Sequence, residues 1–191
     1  MNYKQFFASF ISSMTEPMAI FMLLALMCGW HVGLRNASYV WYVSYLLILS
    51  VAIWVARLRF MKTLHTNWDV SSRPKRVRLL LLLLGFSVLF FSSLWFFGSM
   101  ALMKLSGTFF LWLLGFFLIT LKVKISGHMA VLTLLLGYTT TWYGVMLLPS
   151  LLLLPIVGWS RVVLKRHTMG EVIGGFLYSV IFYEAWIRIF G

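Results

Sequence analysis

The chain has 191 residues, 62% of them hydrophobic and only 10% charged, with 16 basic side chains against four acids and a formal charge of +12. A soluble domain carries about 25% charged residues, so the composition argues against a water-soluble fold, and with no soluble basic domain it argues against a nucleic-acid partner as well. The one cysteine, Cys28, excludes an intrachain disulfide and reads as a small buried hydrophobe.

Apolar runs near ~20 residues read as membrane-spanning helices. Seven such segments are expected, roughly 14–33, 38–57, 79–103, 107–122, 128–141, 143–159 and 170–189. The first lacks a small-residue cleavage pattern, so no secretory leader is expected. The fifth is short, and Pro149 and Pro155 fall in the sixth; membrane helices tolerate proline where neighbours satisfy the freed carbonyls. The expected fold is an all-α, polytopic membrane helix bundle of six to seven transmembrane helices, one integral membrane domain over 1–191 without repeats.

Three polar clusters interrupt this pattern. They are Asp69 to Arg76 (DVSSRPKR), Lys124 to His128 (KISGH) and Ser160 to Glu171 (SRVVLKRHTMGE). Following the segments across the bilayer puts 58–78, 123–127 and 160–169 on one membrane face. That face then holds thirteen of the 16 cations, and only Arg35, Lys104 and Arg188 lie opposite. Positive loops favour the cytoplasm, so the expectation is a multi-pass protein of the cell (inner) membrane with the clusters at its cytoplasmic face.

Chemically, the clusters suit a phosphate ester. Guanidinium groups grip phosphate oxygens in a fixed fork, and amides at a helix start add donors. Ser126-Gly127-His128 opens an apolar helix, and Gly127 allows close backbone approach. A neutral histidine is a nucleophile when a carboxylate holds its other nitrogen. His167 and Glu171 are four apart, on one face if that stretch is helical.

The clusters resemble motifs of the type 2 phosphatidic acid phosphatase superfamily, which includes vanadium haloperoxidases. The third motif, Ser-Arg, five residues, His, three residues, Asp, is matched by Ser160-Arg161, His167 and Glu171, with Glu for Asp. The second, Pro-Ser-Gly-His, is matched by Ser126-Gly127-His128 with Ile125 in place of proline. The first ends in Arg73-Pro74, but Thr66 stands where the family has lysine. The resemblance is greatest to a compact membrane branch with a Lys-x-Ser-x-His second motif, which Lys124 fits, and it covers about residues 55–190.

The resemblance implies hydrolysis of a lipid phosphate or diphosphate, with no cofactor and no metal. His167 would form a phosphohistidine, Glu171 would orient it, and His128 would protonate the leaving oxygen and then activate water. Arg73, Lys124, Ser126, Gly127, Ser160 and Arg161 would bind phosphate, with Asp69 and Arg76 in support. The partners would be the bilayer and a lipid substrate, namely phosphatidic acid, phosphatidylglycerol phosphate or a polyprenyl (di)phosphate; the sequence carries no signal for oligomeric state. Other readings compete. Thr168-Met169-Gly170-Glu171 also fits a helix capping box, and His128, His167 and Glu171 are a conceivable metal set, which the surrounding cations disfavour. A non-catalytic lipid-phosphate binder or transporter would use the same pocket, and Lys75 and Arg78 read as a plain basic patch for anionic lipid.

Overall fold

A computed structural model describes residues 2–31, 39–40, 42–51, 73–97 and 100–190. Among them every regular element is helical. We label the helices α1 (Tyr3–Met14), α2 (Pro17–His31), α3 (Tyr42–Val51), α4 (Arg73–Phe97), α5 (Met100–Lys122), α6 (Gly127–Tyr143), α7 (Leu153–Val163) and α8 (Met169–Phe190), with a 3₁₀ stretch, Gly144–Leu152, between α6 and α7. Two runs among the described residues, Tyr3–His31 and Gly127–Val163, are long and apolar enough to cross a membrane, and Tyr42–Val51 and Ser106–Lys122 are shorter apolar helices.

Within the chain-long domain expected from sequence, the helices group into two compact units. One joins Met1–Leu24 to Val123–Gly191; the other is Ala25–Lys122. The second unit carries Arg73, the first residue of α4, and the half-buried Arg76. Asp69 lies outside the described residues. In this unit α4 packs on α5, Tyr45 stacks on Phe90 with ring centroids 3.8 Å apart, and the Tyr42 and Tyr45 hydroxyls donate to the Ala25 and Phe86 carbonyls at 3.1 and 2.6 Å. Lys104 and Ser106, expected between two segments, lie inside α5, where the Thr108 hydroxyl donates back to the Lys104 carbonyl at 2.8 Å.

The first unit positions the second and third polar clusters. Its N-terminal part corrects the expected segment 14–33. Pro17 has no amide to continue a helix from α1, and Glu16 caps a new one, its Oε2 accepting from the amides of Met18 and Ala19 at 3.0 and 3.2 Å. Residues 3–14 therefore form a separate helix, α1, which packs on α7 and was invisible as an apolar run because Lys4, Gln5, Ser9, Ser12 and Ser13 dilute its hydropathy.

The helices α6 and α8 run parallel. The Ser126 amide donates to the Glu171 carbonyl at 2.9 Å, the Ser179 hydroxyl donates to the Ala130 carbonyl at 2.7 Å, and the Tyr183 ring lies against Gly137. Small residues permit this approach. A Cβ on Gly175 would overlap the Ser126 carbonyl oxygen, and one on Gly174 would sit 2.9 Å from Ile125 Cγ2. Between these two helices the chain reverses at Gly144, whose φ of 68° suits glycine. It returns as α7, with Gly158 facing Val172 and Met129. The starts of α6 and α8 and the end of α7 thus meet at one end of the unit.

The expected loop 160–169 is shorter than the sequence suggested, because α7 continues through Val163 and includes Ser160 and Arg161. It stops at Lys165, the one non-glycine with positive φ (53°) among the described residues. The Lys165 amide donates to the Val162 carbonyl at 2.9 Å and the Arg166 amide to the Arg161 carbonyl at 3.1 Å. This pair of bonds is a Schellman stop, which usually uses glycine.

Candidate active site

The turn after α7 delivers His167 to the start of α8. Thr168 caps that helix: its hydroxyl accepts from the Glu171 amide at 3.2 Å, and its own amide approaches Glu171 Oε2 at 3.4 Å. The capping box is therefore formed. The same carboxylate oxygen accepts from His167 Nδ1 at 2.7 Å and lies 3.3 Å from the Lys124 ammonium. Capping and ring orientation are not alternatives here, since a single oxygen serves both.

An ionised carboxylate only accepts hydrogen bonds, so His167 Nδ1 carries the proton and Nε2 the lone pair of the neutral ring. The His167 side chain is 4% exposed and that of Glu171 20%, which strengthens this charge-assisted bond relative to water. The Lys124 ammonium also donates to the Arg166 carbonyl at 2.9 Å. It therefore ties the segment before α6 to the turn that carries His167, as well as supplying positive charge.

Arg161 is 2% exposed. Its carbonyl accepts from the amides of Arg166 and His167 at 3.1 and 3.3 Å, so its backbone fixes the histidine while its guanidinium projects from the last turn of α7. Guanidinium Nη1 donates to the Ser12 hydroxyl at 2.5 Å. His128, in the first turn of α6, directs Nε2 at the Ser12 carbonyl at 3.3 Å; a carbonyl only accepts, so this nitrogen is the donor. Ser12 of α1 is thus the shared neighbour of the second-cluster imidazole and the third-cluster guanidinium.

The remaining expected site residues divide by what they touch. Ser160 is fully buried and donates its hydroxyl proton to the Val157 carbonyl at 2.8 Å, inside its own helix. The Ser126 amide is engaged by Glu171, as above, while its buried hydroxyl has no hydrogen-bond partner among the described residues. Gly127 is the first residue of α6, a position whose amide has no partner within the helix. Among the described residues, no group of three or more His, Cys, Asp or Glu side chains is spaced to hold a metal ion.

Lys124, Ser126, Gly127, His128, Ser160, Arg161, His167 and Glu171 therefore all belong to the first unit, around the starts of α6 and α8 and the end of α7. Sequence reasoning missed Ser12, which no motif contains. Among the described residues every regular element is helical, two apolar runs reach membrane-crossing length, and a histidine–carboxylate pair lies beside a lysine. No known protein family, curated protein or solved structure matches the chain.

Proposed function

We propose that the chain is a membrane-embedded phosphatase for lipid phosphates or diphosphates, related to the type 2 phosphatidic acid phosphatase superfamily and acting through a phosphohistidine on His167. The observation that carries this reading is the 2.7 Å bond from His167 Nδ1 to Glu171 Oε2, beside Lys124 and the buried Arg161. It leaves Nε2 as the basic, nucleophilic nitrogen among groups that attract an anion.

In this reading His167 Nε2 attacks phosphorus and the bond to the leaving oxygen breaks. His128, as the imidazolium, keeps one N–H on the Ser12 carbonyl and gives the other proton to that oxygen. Water then attacks the phosphohistidine, the neutral His128 takes its proton, and the P–N bond breaks to release inorganic phosphate. Glu171 holds the His167 ring throughout. Arg161, Lys124 and the Gly127 amide bind the phosphoryl oxygens, while Ser160 supports the last turn of α7. Such chemistry depends mainly on positioning and electrostatic stabilisation, which these side chains supply without a metal.

The substrate is an amphiphile whose head meets the site while its tails remain in the bilayer: phosphatidic acid, phosphatidylglycerol phosphate or a polyprenyl (di)phosphate. The remaining architecture of this proposal is six to seven spans in the cell membrane, with the site at one face, cytoplasmic by the distribution of cations. Purified protein in detergent is expected to release phosphate from one of these lipids without added metal, to be inhibited by vanadate, and to lose turnover in His167→Ala while still binding substrate. Translocation of lipid phosphate with no phosphate release would instead make the chain a binder or transporter.

A further inference from the structure

Ser12 has no place in the motifs, yet it touches two of their central side chains. Its hydroxyl accepts from Arg161 Nη1 at 2.5 Å and its carbonyl accepts from His128 Nε2 at 3.3 Å. Several helical hydroxyls in this chain return their proton to a carbonyl four residues back, as Ser87, Thr120 and Thr139 do. Ser12 does not, and among the described residues its hydroxyl proton has no acceptor. A hydroxyl that accepts from a guanidinium keeps one proton to donate. An anion gripped by Arg161 would bring an oxygen beside it.

We infer that Ser12 is a phosphoryl-binding residue, its hydroxyl donating to an oxygen of the same tetrahedral anion that Arg161 holds, while its carbonyl orients the His128 ring. The ligand class is a phosphomonoester head or an inorganic mimic of it. The inference rests on the phosphate-site reading above and adds to it a donor from α1. That helix also exposes Phe6, Phe7 and Phe10, each more than half accessible, so one short helix carries both an apolar surface fit for lipid tails and a polar contact fit for the head.

The test is titration of full-length protein in detergent with orthovanadate, read by calorimetry. A hydrogen bond to a charged group is worth enough to change affinity about tenfold when it is lost. Ser12→Ala is expected to weaken orthovanadate by about that factor, Ser12→Thr to restore it, and Ser13→Ala, on an exposed neighbour, to leave it unchanged. Should Ser12→Ala not fold, Ser12→Cys carries the same expectation, because a thiol is a weak donor. Unchanged or tighter binding in Ser12→Ala overturns the assignment. So does an equal loss in Ser13→Ala or a failure of threonine to rescue, either of which traces the effect to α1 packing. Wild-type protein that binds no orthovanadate overturns the phosphate-site reading itself, and Ser12's role with it.

Discussion

The Ser126 amide donates to the Glu171 carbonyl across 2.9 Å, fastening the second polar cluster to the third through backbone alone. The bond requires α8 to lie close against residues 125–126, and Gly174 and Gly175 make that approach possible.

Gly175→Ala therefore places a methyl group on the Ser126 carbonyl. Overpacking of this kind costs about 1–3 kcal/mol, and the thermal unfolding midpoint in detergent is expected to fall, with turnover falling in parallel. Gly85→Ala is the contrast: it sits in α4 with nothing near its would-be Cβ, and replacing a helical glycine with alanine there is expected to raise stability by up to about 1 kcal/mol. Equal effects of the two substitutions on unfolding would refute the close-packing account.

The two functions of Glu171 separate by substitution. Glu171→Gln keeps an oxygen able to cap α8 but removes the negative charge that orients His167. It is expected to leave the unfolding midpoint nearly unchanged and to lower kcat by about a hundredfold or more, by analogy with other orienting carboxylates. Glu171→Ala removes both roles, and adds a loss of about 1 kcal/mol in stability. Full activity in Glu171→Gln would restrict this residue to capping.

Lys124 bonds to both the Arg166 carbonyl and Glu171. Lys124→Met keeps much of the side-chain bulk and removes the ammonium. A tenfold rise in KM is expected, about 1.4 kcal/mol, from the lost ammonium charge and the looser turn. Initial-rate measurements at varied lipid concentration check it; an unchanged KM and kcat would remove Lys124 from the site.

At Lys165 the backbone is left-handed, which costs a non-glycine residue about 1 kcal/mol. Lys165→Gly is expected to stabilise the protein by up to that amount, and Lys165→Val to destabilise it, because a β-branched side chain fits that conformation worst. Chemical unfolding of the two variants tests the sign of each change.

Sidedness is testable by labelling. In a Cys28→Ser background, a single cysteine at Lys165, which is exposed, is expected to react with an impermeant reagent from the cytoplasmic side. Labelling from the opposite side alone would reverse the orientation proposed from the cation distribution.

Much of the candidate site is legible as residue spacing. His167 and Glu171 stand four apart, and the Thr168–Glu171 capping pattern is visible in the same residues, though only coordinates show that one oxygen satisfies both. The all-helical class follows from apolar runs. Helix limits were less readable. The α7 stop uses lysine where a glycine would have marked it, and Lys104 sits inside α5 although a charge there reads as a boundary. Ser12 left no sequence signal at all, because a serine in a short polar-dotted helix is ordinary until its partners, 116 and 149 residues away, are brought to it.

The parallel course of α6 and α8 has an electrostatic result. In an antiparallel pair the helix dipoles oppose each other, but here their positive ends lie side by side, each equivalent to about half an elementary charge. The backbone itself thus favours a negative group where the two helices begin, and it does so at every pH, independently of any side chain's protonation. At the far end the sign is reversed, and Arg188 in the last turn of α8 supplies the matching counter-charge.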